Sequence, residues 1–245
     1  MTLPARIAMW SGPRNISTAM MRSFGSRSDC AVSDEPFYGA FLKASGEPHP
    51  MAAETIAAMD CDWHSVLATQ SGQTPKDKPL WYQKHMPHHM IGGITIKDMP
   101  NHRHAFLIRA PERVVASYRA KNELRRAEML GFAQLREYFD VAASLGGKKP
   151  PVVDTDVILR NPKNVLSQLC DALDIEWDPE MLSWKQGPHP DDGVWGEHWY
   201  DKVNVSTGFA PAPGPLPSLE GDYRKVADQC RVDYEYLRQF AINAD

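Results

Sequence analysis

The chain has 245 residues, a length that suits one sizeable domain. Its formal net charge of −4 argues against nucleic acid or an anionic membrane surface as its partner. No stretch approaches the roughly 18 apolar residues that a membrane span needs, and the N-terminus lacks a charged-then-apolar signal pattern. The four cysteines are far apart with no Cys-x-x-Cys pair, which is typical of reduced thiols, so we expect a cytoplasmic protein.

Apolar runs alternate with helical patterns along the chain, an order typical of an α/β protein with a largely parallel sheet. The predicted strands are short apolar runs at residues 6–11, 31–33, 93–97, 104–109 and 151–153. The predicted helices carry an apolar stripe or begin at a capping residue, and they start near Ser17, Glu54, Pro111, Phe132, Pro162 and Tyr223. Because no linker or repeat interrupts this order, we expect a single α/β domain over residues 1–245.

Three segments are predicted to be loops that shape a binding pocket: residues 34–45, 60–90 and 187–217. The last is rich in glycine, proline and aromatic residues and shows little periodicity. A stretch this long without regular structure is usually a binding loop or a disordered segment. Its aromatic residues, such as Trp195 and Tyr200, favour an ordered loop.

The sequence IAMWSGPRNIST, at residues 7–18, predicts a buried strand that runs into a loop and then a helix. The apolar run ends at the strand-breaking residues 11–13, and Ser17 and Thr18 precede good helix formers. A helix N-terminus leaves backbone N–H groups unpaired and carries a partial positive charge, so it binds phosphate or sulfate readily. Arg14 adds a cation. An ordinary strand–turn–helix with a capping serine is the alternative for this segment alone.

The spacing from Gly12 to Ser17 and Thr18 resembles the phosphate-binding pattern GxxxxGK[ST], but the Gly-Lys pair is missing. The lysine that grips the outer phosphates of ATP or GTP therefore has no counterpart at its usual place. A P-loop kinase or NTPase is for this reason the second hypothesis rather than the first.

A second motif, FLIRAPERVVASY, occupies residues 106–118. Arg109 ends a predicted strand, and Ser117 lies two turns along the helix that begins at Pro111. Both side chains are expected at the sheet edge where the strands stop, which is the usual binding crevice of open α/β sheets. A guanidinium suits a dianionic phosphate, and a hydroxyl supplies a further donor. A structural ion pair is the alternative role for Arg109.

Together these motifs resemble the PAPS-dependent sulfotransferases, and the resemblance covers most of residues 6–182. Residues 13–18 are similar to the family's Pro-Lys-Ser-Gly-Thr-Thr loop, which holds the 5′-phosphosulfate of 3′-phosphoadenosine 5′-phosphosulfate (PAPS). Arg109 and Ser117 have the eight-residue separation of the family's Arg and Ser, which hold the 3′-phosphate. Residues 84–87 resemble the family's His-Leu-Pro segment, whose histidine is the general base.

The resemblance implies a three-layer P-loop-type fold with a central, mostly parallel sheet flanked by helices. It implies transfer of a sulfuryl group from PAPS, the co-substrate, to a hydroxyl or amine of a small acceptor, with Arg14 and His85 as catalytic residues. The residues expected to bind PAPS are Gly12, Pro13, Arg14, Asn15, Ile16, Ser17, Thr18, Arg109 and Ser117. No metal, nucleic acid or membrane partner is implied, and the oligomeric state stays open.

The sequence departs from the family pattern at three places. Arg14 stands where the family has a lysine, and the two cations are not equivalent at a reaction centre. Ile16 stands where the family has a glycine and tolerates fewer backbone conformations. The family's C-terminal Arg-Lys-Gly phosphate clamp has no clear match, although residues 205–209 lie at about its place. These departures keep open a third hypothesis, a non-catalytic relative that binds an adenosine phosphate.

Three histidines, His85, His88 and His89, are close together in the sequence and are typical metal-ligand residue types. No His-Glu-x-x-His spacing accompanies them, and no cysteine is nearby. The pattern therefore favours a metal-free protein.

Overall fold

The computed structural model describes residues 4–124 and 126–243. Its centre is a five-stranded sheet with the strand order β2-β3-β1-β4-β5, and every neighbouring pair is parallel. The strands are β1 Ala5–Ser11, β2 Cys30–Asp34, β3 Leu80–His85, β4 His102–Ile108 and β5 Val152–Asp154. The predicted α/β class with a parallel sheet is confirmed.

Helices connect the strands and cover both faces of the sheet. They are α1 Ser17–Gly25, α2 Tyr38–Ser45, α3 Ala52–Ala58, α4 Trp63–Ser71, α5 Pro111–Arg119, α6 Phe132–Gly146, α7 Thr155–Ile158, α8 Pro162–Ala172, α9 Gly196–Trp199, α10 Asp201–Asn204 and α11 Gly221–Arg238. Short 3-10 helices lie at Pro75–Asp77, Pro87–His89, Ile96–Asp98, Ala127–Leu130 and Pro179–Leu182. Across the described residues, no helix combines the length and apolar character needed to cross a bilayer.

The alternation of side chains along β1 builds two cores, one on each face of the sheet. Ile7 and Met9 point to the face covered by α1 and α8. Ala8 and Trp10 point to the opposite face, where α5, α6 and α11 pack. The protein therefore has three layers, with the sheet in the middle, as the sequence predicts.

The strand predicted at residues 93–97 is wrong, because the structure has the 3-10 helix Ile96–Asp98 at this place. The alternation of apolar and β-branched residues there suggests a strand, but a capping box overrides it. The hydroxyl of Thr95 accepts from the Lys97 N–H (3.2 Å), and the Asp98 carboxylate accepts from the Thr95 N–H (2.8 Å). These two bonds close the backbone into a turn.

The strand that the pattern does not predict is β3, which lies inside the segment 60–90 that was expected to be a loop. All six of its residues are buried, although three are polar: Gln83, Lys84 and His85. Gln83 donates from Nε2 to the carbonyl of Gln70 (2.8 Å), so its amide is paired inside the core. Hydrogen bonds within the fold satisfy such polar side chains when they are buried. Because the side chains are polar, a hydropathy pattern does not reveal the strand.

Three further predictions need correction. The segment 34–45, predicted to be a loop, contains the helix α2. The single helix expected from Glu54 is two helices, α3 and α4, and the side chain of Asp62 caps the second by accepting from the Ser65 N–H (2.8 Å). The segment 187–217 contains the short helices α9 and α10, with Trp195 and Tyr200 buried. Its aromatic side chains thus hold it as an ordered layer over the sheet edge.

Gly12 lies where the loop after β1 passes close to another part of the backbone. A Cβ atom on Gly12 would lie 2.4 Å from the carbonyl oxygen of Leu130. We expect Gly12→Ala to lower the free energy of unfolding by about 1–3 kcal/mol, the usual cost of overpacking. Urea denaturation measures this, with Gly146→Ala as the control because a Cβ there meets open space. An unchanged midpoint for Gly12→Ala would contradict the close approach.

Candidate active site

A cavity of about 450 Å³ opens at the sheet edge where β1, β2, β3 and β4 end. It gathers eight of the nine residues that the sequence predicts to bind PAPS: Pro13, Arg14, Asn15, Ile16, Ser17, Thr18, Arg109 and Ser117. Gly12 is not among the lining residues and lies behind the loop, against Leu130. The two sequence motifs therefore meet at one site.

The loop after β1 has an unusual backbone. Arg14 (φ 64°) and Ile16 (φ 57°) both adopt the left-handed conformation. Such residues turn successive backbone N–H groups into a concave surface that binds anions. For a β-branched residue this conformation costs about 1–3 kcal/mol, and strain of this kind clusters at functional sites. Ile16 therefore adopts a glycine-like conformation in spite of its side chain, which packs against the core beneath α1.

The N-terminus of α1 points its unpaired N–H groups toward the same cavity. Ile16 is the N-cap residue and supplies no side-chain hydrogen bond, and the first turn has no acidic residue. Ser17 and Thr18, the first two helical residues, line the cavity. The partial positive charge of the helix end thus faces the cavity without a negative side chain from this turn.

Asn15 anchors this loop to the sheet. Its side-chain Nδ2 donates to the carbonyl of Leu107 on β4 (3.2 Å), and its own carbonyl accepts from the Thr155 hydroxyl (3.3 Å). The side chain is buried and faces the sheet. Asn15 therefore fixes the shape of the loop.

Arg14 contacts both Arg109 and Ser117. The Arg14 Nε donates to the Ser117 hydroxyl (3.0 Å), and the Arg109 Nη1 donates to the Arg14 carbonyl (2.7 Å). Burial lowers the pKa of both arginines from its ordinary value, but a guanidinium stays charged at neutral pH. The buried Nε of Arg109 has no hydrogen-bond partner within the part of the chain that the structure describes. An unpaired buried donor beside two cations fits an anionic ligand.

The structure does not bring His85 to the cavity. Its ring is 1% exposed, stacks on Trp10 with centroids 4.7 Å apart, and bonds through Nε2 to the Gln83 side chain (3.2 Å). Burial lowers the pKa of His85 well below 6.5. Successive side chains of a strand point to opposite faces, so the neighbouring Lys84 faces the cavity while His85 points into the core.

Lys84 is the centre of a buried polar network that sequence reasoning missed. Its Nζ donates to Asp34 Oδ1 (2.8 Å), Glu35 Oε1 (2.6 Å) and the Tyr200 hydroxyl (2.7 Å). Burial alone would lower the pKa of Lys84, but the two carboxylates raise it well above 10.5. Lys84 is therefore a fixed ammonium ion in the wall of the cavity.

Glu35 also lines the cavity and was missed by sequence reasoning. Burial raises its pKa from 4.5, against the pull of the Lys84 ammonium. Its position directly after β2 could have indicated that Glu35 lies at the site, because the carboxyl ends of parallel strands meet at one sheet edge. A carboxylate with a raised pKa at such an edge is suited to accept a proton.

The segment 187–217 is fastened over the cavity by hydrogen bonds to the sheet and to α1. The Tyr200 hydroxyl donates to Asp34 Oδ2 (2.7 Å) and accepts from the Trp195 indole N–H (3.1 Å). Arg22 on α1 pairs with Asp192 through Nη2 and Oδ2 (2.6 Å). The segment also contributes Ser206, Phe209 and other side chains to the lining, none of which the sequence assigned.

Two of the three histidines that the sequence raised as metal ligands, His88 and His89, belong to an aromatic cluster. His89 stacks on Tyr38 (4.7 Å) and on Phe41 (4.8 Å), and His88 meets Phe41 edge-on (5.9 Å). Burial lowers the pKa of His88 to about 4. Within residues 4–124 and 126–243, no three His, Cys, Asp or Glu side chains are grouped so as to hold a metal ion.

The sequence matches the family model described as a sulfotransferase domain over residues 5–230, and the chain belongs to this family. Solved structures agree in fold. The sulfotransferase domain of the Synechococcus PCC 7002 olefin synthase has a TM-score of 0.53 at 17% identity, covering 94% of this chain and 95% of that one. A sulfotransferase from Alicyclobacillus acidocaldarius has a TM-score of 0.56 at 12% identity, covering 99% and 98%. At these identities the likeness shows the fold alone.

Two curated proteins of Arabidopsis thaliana are closer in sequence. Branched-chain-amino-acid aminotransferase-like protein 2 is 34% identical over 235 residues, which is 95% of this chain and 41% of that protein. Branched-chain-amino-acid aminotransferase-like protein 1 is 37% identical over 213 residues, which is 86% of this chain and 37% of that protein. The chain thus spans well under half the length of either relative.

The Lys84 network makes a prediction about stability. Lys84→Met removes the buried cation, and we expect the free energy of unfolding to fall by about 3–5 kcal/mol at neutral pH. Without the ammonium the pKa of Glu35, already raised by burial, would rise further in the folded state. The folded state of the variant then binds a proton more readily than its unfolded state does. The loss of unfolding free energy is therefore smaller as the pH falls toward about 5.

Urea denaturation at both pH values measures this effect. Lys225→Met is the control, because Lys225 is exposed and pairs with the equally exposed Asp222 on α11. We expect little change for it. A Lys84→Met variant as stable as the parent protein would contradict the buried network.

Proposed function

We propose that this protein transfers a sulfuryl group from PAPS to a hydroxyl or amine of a small acceptor. Its membership of the sulfotransferase domain family supports transfer chemistry. The observation that carries the proposal is the contact between Arg14, Arg109 and Ser117, which joins the loop before α1 to the end of β4. Two anion-binding features at one cavity suit PAPS, which carries a 5′-phosphosulfate and a 3′-phosphate.

The loop before α1 takes the 5′-phosphosulfate in this proposal. Arg14, the N–H groups of the first turn of α1 and the hydroxyls of Ser17 and Thr18 supply the donors. Arg109 and Ser117 take the 3′-phosphate. The Ser117 oxygen accepts from Arg14, so its O–H stays available to donate to the phosphate.

Trp184 and Phe209 offer an apolar surface for the adenine. Their rings meet edge-to-face at 5.2 Å, and both line the cavity. The Trp184 indole N–H donates to the Ser206 hydroxyl (3.1 Å), which fixes the ring plane. A purine held against such rings gains apolar contact and leaves the two phosphate positions to the cationic groups.

The transfer follows an in-line displacement. The acceptor oxygen or nitrogen forms a bond to sulfur while the bond between sulfur and the bridging oxygen of the 5′-phosphate breaks. Glu35 accepts the acceptor's proton, in place of His85, which faces the core. Arg14 and the N-terminus of α1 stabilise the negative charge that develops on the leaving phosphate. Lys84 positions Glu35 through the hydrogen bond at 2.6 Å.

Nucleotide binding tests the donor assignment. Adenosine 3′,5′-bisphosphate (PAP) should bind at least about tenfold more tightly than ADP, ATP or GTP, because only PAP places a phosphate on Arg109. Arg109→Gln should weaken PAP by about 10- to 100-fold, the value of a charged hydrogen bond. Isothermal calorimetry measures both, with Arg119→Gln on the exposed end of α5 as the control. A preference for ATP over PAP would contradict the assignment and favour a kinase or NTPase.

The proton acceptor is tested by Glu35→Gln. We expect kcat to fall by about 10²- to 10⁴-fold, the usual contribution of a general base, while PAP affinity stays the same. In the parent protein kcat/KM should rise with pH as Glu35 deprotonates, with a midpoint above 4.5 because burial raises its pKa. This acid limb should be absent in Glu35→Gln.

The same assay separates Glu35 from His85. Transfer of radiolabelled sulfate from PAPS is measured for Glu35→Gln, His85→Asn and the exposed control Glu54→Gln, each checked for folding by thermal denaturation. Activity retained in Glu35→Gln and lost in a folded His85→Asn would overturn the assignment. Tight PAP binding without transfer to any acceptor would favour a non-catalytic nucleotide-binding protein.

A further inference from the structure

The last part of the segment 187–217 borders the cavity on the side proposed for the adenine. We name residues 205–217 the strap. Four of its residues line the cavity: Ser206, Gly208, Phe209 and Ala210. Phe209 meets Trp184 edge-to-face, with ring centroids 5.2 Å apart. The position of the strap therefore determines where the ring of Phe209 lies relative to a bound purine.

The first residues of the strap pair with the backbone around Ser183. Ser183 and Gly208 form an antiparallel β-bridge, and the Trp184 N–H donates to the carbonyl of Thr207 (3.0 Å). A Cβ atom on Gly208 would lie 3.1 Å from the carbonyl oxygen of Leu182, so the two backbones are in close contact. These contacts hold the strap up to Phe209.

The rest of the strap is rich in proline and has few backbone donors. Proline occupies every second position from 211 to 217 and has no N–H group. Within the described part of the chain, residues 210–217 make no hydrogen bond from backbone to backbone. A chain of this composition is a semi-rigid spacer. Polar contacts can hold it mainly through its carbonyl oxygens, which need donors from a side chain.

Arg113 supplies these donors from the first turns of α5. Its Nη2 donates to the carbonyl of Gly214, and its Nη1 donates to the carbonyl of Pro215 (3.4 Å). Its Nε donates to Asp156 Oδ2 (2.9 Å). The Asp156 N–H donates in turn to the side chain of Asp154, at the end of β5 (2.8 Å). One guanidinium thus ties the far end of the strap to α5 and to the sheet.

The same helix carries part of the proposed 3′-phosphate site. Arg113 and Ser117 are four residues apart on α5, so they lie on one face of the helix. Asp156 also acts on Arg109: burial lowers the pKa of Arg109, and the Asp156 carboxylate opposes this shift. The anchor of the strap and the proposed phosphate ligands are therefore fixed to one rigid element.

Resting on the proposed donor site, we propose that Arg113 is a positioning residue for the nucleotide: it holds the strap so that Phe209 faces the adenine. Arg113 itself is not among the residues that line the cavity. It acts through Phe209, because the proline-rich chain between Phe209 and Gly214 is stiff. Without the anchor the strap gains conformational freedom, and ordering it over a nucleotide then costs more entropy.

Two nucleotides with the same phosphates test this role: PAP and uridine 3′,5′-bisphosphate. The larger purine gains more contact with Trp184 and Phe209, so the parent protein should bind PAP about tenfold more tightly. In Arg113→Met this preference should fall to about threefold or less. Isothermal calorimetry measures both affinities. The KM for PAPS should rise in this variant while kcat stays within about twofold, because Arg113 does not touch the reacting atoms.

Arg27→Met is the matched control. The side chain of Arg27 is 3% exposed and that of Arg113 is 12% exposed. Arg27 also joins an aspartate to a backbone carbonyl, since it donates to Asp29 (2.8 Å) and to the carbonyl of Glu176 (2.7 Å). It precedes β2, at the opposite end of the strands from the cavity. Thermal denaturation should show both variants folded, with lowered midpoints, but Arg27→Met should keep the tenfold preference. Loss of the preference in both variants would overturn the positioning role.

A double-mutant cycle tests whether Arg113 acts through Phe209. Phe209→Leu should remove most of the preference for PAP. Adding Arg113→Met to Phe209→Leu should then change PAP affinity by less than about twofold. Losses that multiply in the double variant would show that Arg113 acts by another route and would overturn the inference.

Arg113→Lys provides a conservative variant. A single ammonium cannot reach Asp156 and both carbonyls at once, so the preference for PAP should lie between those of the parent protein and Arg113→Met. If Arg113→Met fails to fold, this variant decides: a preference equal to that of the parent protein overturns the inference.

The outcomes separate this inference from the proposed function. If the parent protein binds PAP and a folded Arg113→Met keeps the tenfold preference, the role of Arg113 is overturned while the donor assignment stands. Equal binding of PAP and the uridine nucleotide by the parent protein would overturn the contact of Phe209 with the adenine, and the inference with it. If PAP does not bind the parent protein, the donor assignment and the inference both fail.

Discussion

One hydrogen bond joins the two halves of the proposed donor site: the Arg109 Nη1 donates to the carbonyl of Arg14 at 2.7 Å, across 95 residues of chain. It forms because β1 and β4 are neighbouring parallel strands, with Trp10 opposite Phe106, so the loops that follow them meet at the same edge. Arg14 itself adopts a left-handed conformation, and its side chain donates to Ser117. These two contacts tie the loop before α1 to the end of β4 and to α5, and they hold together the two anion-binding features on which the proposed donor site depends.

The Lys84 network plays the corresponding role on the other side of the cavity. A buried ion pair contributes little to stability compared with apolar residues of the same volume. Stability alone therefore does not explain why this network is present. Through Tyr200 and Asp34 the network fastens the segment 187–217 to the ends of β2 and β3, and it fixes Glu35 in the lining of the cavity. One set of hydrogen bonds thus positions both the proposed proton acceptor and the segment that covers the cavity.

Local signals let the sequence predict the loop before α1, the helix that begins at Pro111 and the gathering of Arg109 and Ser117 at one edge. The strand β3 escaped prediction because Gln83 and Lys84 are polar, and their partners Gln70 and Tyr200 are distant in sequence. The assignment of His85 depended on a motif match, and a shift of one residue along a strand moves a side chain to the opposite face. The position of Glu35 directly after β2 marks it as a sheet-edge residue, but its contact with Lys84 depends on β2 lying beside β3, which no local pattern contains.

A crystal structure of the protein with PAP tests the central claim most directly, namely that two anion-binding features at one cavity hold a single nucleotide. The account predicts the 5′-phosphate at the Arg14 side chain and the N–H groups at the start of α1, and the 3′-phosphate on Arg109 and Ser117. A nucleotide bound elsewhere, or one whose 3′-phosphate points into solvent away from Arg109, would contradict the account.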